Sequence, residues 1–197
     1  MNDYTTLEKN LARRDFSFRA FATGAEASTY LTETLQNRSI GIGGSMTVMA
    51  LGLHKLLAER NEVAFHLDGG DIAQANAAEV YISSLNGLAE TGELINIDGT
   101  GNRVSATAYG AKHLYFVVGK NKLAPDFEQA LWRARNIAAP KNAARFKAKT
   151  PCVLKEPMRC HDCSGPERMC RELLILWQKP RRVVTMEIIL IEEELGY

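Results

Sequence analysis

The segment His113-Leu-Tyr-Phe-Val-Val118 is apolar without the alternation of a half-solvated strand. An unbroken apolar strand is covered on both faces, and the architecture that covers it is a parallel sheet with helices on either side. The rest of the chain is patterned to match. Arg38-Ser-Ile-Gly-Ile-Gly-Gly-Ser-Met-Thr47 reads as a short buried strand running through a glycine turn into a helix capped by Ser45, with Met49, Leu53, Leu56 and Leu57 as its apolar stripe. Glu62-Val-Ala-Phe-His-Leu67 is a second strand, stopped by Asp68-Gly-Gly70, and Glu79-Val-Tyr-Ile-Ser83 is a third, with a short helix over residues 71–78 between them. Strands alternating with helices predict a parallel sheet.

The remaining segments complete the expected order. Residues up to 14 and residues 22–36 read as helices, and Glu93-Leu-Ile-Asn-Ile97 reads as a short fourth strand or an extended loop edge. A helix is expected over residues 126–138, with Phe127, Leu131 and Ile137 on roughly one face and Pro140 ending it or kinking the chain into a turn near Phe146. A further helix is predicted over residues 166–178 and a final strand over residues 182–191. The fold class is α/β, a three-layer open parallel sheet with helices on both faces and a cysteine-rich excursion before the last strand. One domain is expected over residues 1–197, with N-terminal helices in 1–38, an α/β core in 39–146, the cysteine segment and a helix in 147–181, and the final strand in 182–197.

Composition narrows the function classes. With 46% hydrophobic and 24% charged residues in 197, the chain has the balance of a folded globular protein, not of a disordered or collagenous one. A formal net charge of +1 supplies no global field toward nucleic acid or an anionic membrane, so any anion site is local. The opening residues carry Asp3, Glu8, Lys9, Arg13 and Arg14 in place of a secretory apolar core, and no apolar run reaches membrane-spanning length. A cytoplasmic protein is expected.

The four cysteines all fall in one stretch as Cys152-x7-Cys160-x2-Cys163-x6-Cys170. Four thiolates around a central CxxC satisfy either a tetrahedral zinc ion or a four-iron, four-sulfur cubane. Zinc ribbons usually carry two CxxC knuckles, and the single one here favours iron. A reducing compartment disfavours disulfides. His161 inside the CxxC reads as a spacer; His54, His66 and His113 read as structural.

Three loops are candidates for a ligand. The turn Gly41, Gly43, Gly44 and Ser45 between a strand and a helix presents backbone N–H groups to an anion, or else is a tight turn that binds nothing; it is neither a Walker loop nor a full GxGxxG. In the polar stretch of residues 83–103, Glu93 and Asp98 are candidate bases or nucleophiles, with Glu90 a weaker one, and Asn102 and Arg103 are candidate holders of a carboxylate or phosphate. Its Asp-Gly and Gly-Asn pairs also read as plain turns. Lys120 and Lys122 leave the strong strand on the same edge as the Gly41 turn and would supply point charges to an anion. The basic run Arg133, Arg135, Lys141, Arg145, Lys147 and Lys149 reads as a solvated helix face, and Trp132 and Trp177 as core or interface residues.

Several ordered motifs carry a resemblance. Glu90-Thr-Gly-Glu-Leu-Ile-Asn-Ile-Asp-Gly-Thr-Gly-Asn-Arg-Val104, Val117-Val-Gly-Lys-Asn-Lys122, Ile137-Ala-Ala-Pro-Lys-Asn142 and Asp162-Cys-Ser-Gly-Pro-Glu-Arg-Met-Cys170 together resemble the LUD domain, the lactate-utilisation family that includes LutC and YkgG proteins. The resemblance spans residues 39–196. It implies a fold similar to ribose-5-phosphate isomerase, glucosamine-6-phosphate deaminase and CoA transferases, in which the first glycine-rich turn binds a phosphate or acyl group. It also implies a part in oxidising lactate to pyruvate beside separate iron-sulfur proteins, while family members without cysteines make the 152–170 segment a subgroup trait. Two readings follow: a redox component holding a four-iron, four-sulfur cluster, or an isomerase- or CoA-transferase-like enzyme or ligand-binding subunit with a structural zinc. Expected partners are other lactate-utilisation or redox proteins and a small organic anion, with a homo-oligomer among the assemblies.

Overall fold

A computed structural model describes residues 2–197; Met1, the first residue of the expected domain span, lies outside them. In chain order the elements are α1 (Thr5–Arg13), β1 (Ser17–Phe21), α2 (Gly24–Thr34), β2 (Ser39–Ile42), α3 (Met46–Ala50), α4 (Leu53–Ala58), β3 (Glu62–Phe65), α5 (Ile72–Ala77), β4 (Val80–Ser83), β5 (Gly87–Ala89), β6 (Leu94–Asp98), α6 (Asn102–Ala108), β7 (His113–Gly119), β8 (Leu123–Ala124), α7 (Phe127–Arg133), α8 (Ala139–Arg145), α9 (Pro151–Leu154), β9 (Glu172–Leu176) and β10 (Thr185–Ile191). Six strands form an all-parallel sheet in the order β1-β10-β7-β4-β2-β3. The chain is the α/β type that its strand–helix alternation predicts.

Successive side chains of a strand point to opposite faces, and the central strands feed two separate cores. Leu114, Phe116 and Val118 of β7 and Met186, Ile188 and Leu190 of β10 join Leu7 and Leu11 of α1, Ala75 of α5 and Ala106 of α6 on one face. Tyr115 and Val117 of β7 and Ile189 and Ile191 of β10 join Ala27 and Leu31 of α2, Val48 of α3 and Leu53 and Leu57 of α4 on the other. This two-sided cover is why His113–Gly119 shows no alternation.

A second sheet was not foreseen. Strands β8-β5-β6-β9 make a mixed four-stranded sheet. Leu88, Leu94 and Leu176 turn one of its faces into the first core, and Ala89, Ile95 and Ile97 turn the other onto Ala130, Ala134 and Ala139. The strand expected over residues 93–97 is therefore present as β6, Leu94–Asp98, but in this second sheet.

Three further expectations are corrected and one pair of alternatives is decided. The 1–38 region holds the strand β1 as well as two helices; β1 pairs with β10 at the sheet's edge, and its Arg19 reaches Glu187 at 2.9 Å. Tyr30 also donates to Glu187, which explains how the one acidic residue of β10 is tolerated at 6% exposure. The helix predicted over 166–178 is β9, because Leu173-Leu-Ile-Leu176 is a short apolar run whose type its periodicity does not fix, and the edge of β6 was there to pair with it. The helix capped by Ser45 breaks at Gly52, whose φ of 61° is left-handed, into α3 and α4. Of the two readings of Pro140 the structure shows the second, since the chain runs on through α8 and stops at its cap, Phe146. A proline lacks the N–H that would bond four residues back and its ring crowds that carbonyl. The turn before it, Ala134–Ala138, is widened into a π-helical turn that joins α7 to α8 without a break.

Candidate functional site

The carboxyl ends of β2, β3, β4 and β7 open onto one cleft of about 330 Å³, at the edge where open parallel sheets place ligands. Gly44 and Ser45 follow β2, His66 follows β3, Ser84 and Asn86 follow β4, and Lys122 follows β7. The opposite wall comes from Asp98, Asn102 and Arg103 after β6, from Asn142 and Arg145 of α8, and from Glu167 to Arg171 ahead of β9. Lysine and arginine on these walls outnumber carboxylates, and the cleft is polar.

Lys122 is the most constrained of the group. Only 4% exposed, its Nζ donates to Thr47 Oγ1 and Ser84 Oγ, both at 2.9 Å. Burial pushes the amine down to about 7, with the charges of Arg133 and Arg103 acting in the same direction. Lys120 is exposed and lies off the cleft, its backbone N–H bonded to Glu193. The 3₁₀ turn over residues 120–122 sends the two lysines to different environments.

The glycine turn divides as well. A Cβ on Gly41 would sit 1.9 Å from the Ala75 carbonyl oxygen, so Gly41 is there for close packing of α5 on β2. A Cβ on Gly43 would crowd Tyr81 and Arg103 side chains, whereas one on Gly44 would lie 3.2 Å from the His66 ring, and Gly44 reaches the cleft. Ser45 caps α3 by accepting from Val48 N–H at 3.2 Å. With five residues, α3 is too short for its end to hold an anion unaided, and positive charge in the cleft comes from side chains.

The two candidate carboxylates separate. Asp98 lies in the cleft wall, buried, accepting from Gly99 N–H at 2.8 Å, Arg103 N–H at 2.9 Å and Val104 N–H at 3.3 Å, with Arg103 Nε at 3.7 Å. It organises the start of α6 and orients Arg103, whose other end donates to the Ile97 carbonyl. Glu93 is outside the cleft, ion-paired to Arg14 and bonded to Thr91. Its role is to hold α1 to the β5–β6 hairpin. Glu90 is also absent from the cleft walls.

Cys152, Cys160, Cys163 and Cys170 all line one small cavity of about 20 Å³, with Arg135 and Arg168 beside them. Asp162 N–H points at Cys160 Sγ from 3.4 Å, Arg135 Nη2 lies 3.8 Å from the same sulfur, and Thr150 Oγ1 is 3.1 Å from Cys152 Sγ. Burial raises the Cys170 thiol, and the neighbouring cysteines push it the same way. All four are free thiols. Among the described residues, no three His, Cys, Asp or Glu side chains are gathered tightly enough to hold a single metal ion. Cys170, Arg168 and Ala139 form part of both cavities, so the cysteine site and the cleft share a wall.

The model of the LUD domain family matches residues 4–191. This chain belongs to the LUD domain family. A crystal structure of a DUF162 family protein from Deinococcus radiodurans shares the fold: TM-score 0.56, 13% identity, 94% of each chain covered. No curated protein matches the chain. No helix among the described residues is long and apolar enough to cross a membrane.

This LUD domain also uses residues that sequence reasoning set aside. His66, read as structural, lines the cleft, and burial together with Arg103 and Arg145 lowers its pKa. Arg145 lines it too, held to Asn142 Oδ1 and over the Phe146 ring at 3.9 Å. Arg133, assigned to a solvated face, is 7% exposed and donates to the carbonyls of Asn121, Asn86 and Tyr197, tying together the loops behind Lys122. The available signal was Asn142 within the motif ending at that residue; nothing in the charge run distinguished Arg133 from its neighbours.

Proposed function

We propose that this LUD domain binds a small organic anion in the cleft and a four-iron, four-sulfur cluster through Cys152, Cys160, Cys163 and Cys170. It would act in electron transfer linked to the oxidation of lactate or a related organic acid. The observation that carries the reading is the shared wall: Cys170 and Arg168 border both the cleft and the cavity ringed by all four thiols. The family is linked broadly to lactate utilisation, which agrees with a carboxylate-sized cationic cleft.

The donor set fits the group. Four thiols border one cavity, Arg135 and Arg168 supply positive charge against a thiolate-ligated cluster, and the Asp162 N–H is placed to bond a Cys160 thiolate. A mononuclear zinc would instead take the same four sulfurs at about 2.3 Å from one point. When bound, a cluster of this kind supplies one-electron transfer. The chain's own residues hold the anion: Arg103 is oriented by Asp98, Arg145 by Asn142 and Phe146, and Lys122 is dry beneath them. Thiol ligands persist in reducing compartments, and the protein would act in the cytoplasm with redox or lactate-utilisation partners.

The test is anaerobic purification followed by a visible spectrum and iron, sulfide and zinc analysis. A broad visible band that bleaches with dithionite, with about four iron and four sulfide per chain, is expected. Replacing Cys160 and Cys163 by Ser should abolish it. Colourless protein holding about one zinc per chain would overturn the cluster and make the cysteines a structural clasp.

A further inference from the structure

We propose that Lys122 captures the carbonyl carbon of a 2-oxo acid as a Schiff base, with Arg103 and Arg145 receiving its carboxylate. The inference deepens the anion reading of the cleft and rests on it. Lys122 is the one lysine on the cleft wall, and it takes part in none of the ion pairs among the described residues. Buried lysines normally meet a carboxylate. This one meets two hydroxyls, Thr47 Oγ1 and Ser84 Oγ, and the charges that act on it, Arg133 and Arg103, are cations. A dry amine beside guanidinium groups is held toward its neutral, nucleophilic form, the state that carbonyl addition requires.

The surroundings suit a ligand with a carbonyl next to a carboxylate. Arginine forks match a planar carboxylate, and both candidate forks are held in place, Arg103 by Asp98 and Arg145 by Asn142 and the Phe146 ring. A ligand of three or four carbons fits a cleft of about 330 Å³ with room for water. In the step itself, the Nζ lone pair forms a C–N bond to the carbonyl carbon and the carbonyl oxygen takes up the proton that Nζ loses. The resulting carbinolamine then gives up its hydroxyl with the second Nζ proton as one molecule of water, leaving a neutral imine, and no electrons leave or enter. The hydroxyls of Thr47 and Ser84, already bonded to Nζ, are placed to pass those protons.

The experiment incubates the intact protein with pyruvate and cyanoborohydride, then maps the reduced adduct by peptide mass spectrometry. The adduct should fall on Lys122, disappear in Lys122→Arg, persist in Lys120→Arg and be prevented by excess oxalate. Modification confined to exposed lysines, at equal rates with and without oxalate, would overturn the proposal. A calorimetric titration with oxalate separates the two failures. Oxalate binding without a Lys122 adduct overturns the Schiff base and leaves the anion cleft standing, whereas neither binding nor adduct overturns both.

Discussion

Gly41 and Gly44 stand three positions apart in one turn and answer to different constraints. The carbonyl that a Gly41 Cβ would strike is backbone, on a helix packed against the sheet, and cannot step aside. Gly41→Ala is therefore expected to destabilise the fold by about 1–3 kcal/mol or more, the ordinary range for overpacking, read as a lower chemical-denaturation midpoint. At Gly44 the neighbour is the edge of the His66 ring, a side chain that can give. Gly44→Ala should leave the midpoint almost unchanged while weakening anion binding in the cleft, and equal losses of stability in the two variants would refute the distinction. Lys122 carries a prediction in pH. Its amine titrates at about 7 in the fold against 10.5 for an ordinary lysine. Between those values the unfolded chain holds the extra proton, so stability rises with pH through that window and the cost of burying the charge is complete below it. Lys122→Met removes the titration. Its thermal midpoint should exceed that of the native chain most at acid pH, with the difference shrinking as pH rises from 7 to 10; a pH-independent difference would contradict the buried-amine account.

At the scale of elements, the π turn between α7 and α8 links the fold to the cysteine segment. Asn136 lies on it, donates to the Trp132 carbonyl at 3.0 Å and accepts from Cys160 N–H at 3.3 Å, while Arg135, one residue earlier, faces Cys160 Sγ. Asn136→Ala removes a bond worth about 1 kcal/mol, and hydrogen exchange at the Cys160 amide should speed up several-fold with the β7 amides unaffected. Unchanged exchange at Cys160 would mean that the segment is held by other contacts. This arrangement was invisible in the sequence for a physical reason. Pro140 is normally a stop, and only packing of Ala134, Ala138 and Ala139 into the surrounding core makes it favourable for the helix to widen and continue. The strand β9 was hidden in the same way, since whether Leu173-Leu-Ile-Leu176 is helix or strand depends on the free edge of β6, a partner far away in sequence. By contrast β2, β3, β4 and β7 were legible, because strands covered on both faces are apolar whatever their neighbours, and Asp71 and Ser45 cap their helices by local chemistry.

Across the whole molecule, a chain of net charge +1 concentrates cations where two sheets face each other. Half of the cleft follows from the first rule of open parallel sheets, that ligands gather at the strands' carboxyl ends, so the Gly44–Ser45 turn and Lys122 were found from sequence. The other half is delivered by the second sheet and by α8, and no local pattern announces that Arg145 and Arg168 return to meet Lys122. The same return sets Cys170 in the cleft wall, which Cys160 does not line. That difference yields a test of whether the two cavities communicate. Cys170→Ser removes a thiol from the common wall and should shift oxalate affinity several-fold, whereas Cys160→Ser, which removes a thiol of the same cavity away from the cleft, should leave it within about two-fold. The binding coupling is reciprocal by thermodynamic necessity: an anion that senses the state of Cys170 must change that state's free energy by the same amount. Equal affinities in the two serine variants would mean that the shared wall transmits nothing, and that anion binding and thiol chemistry are independent functions of one fold.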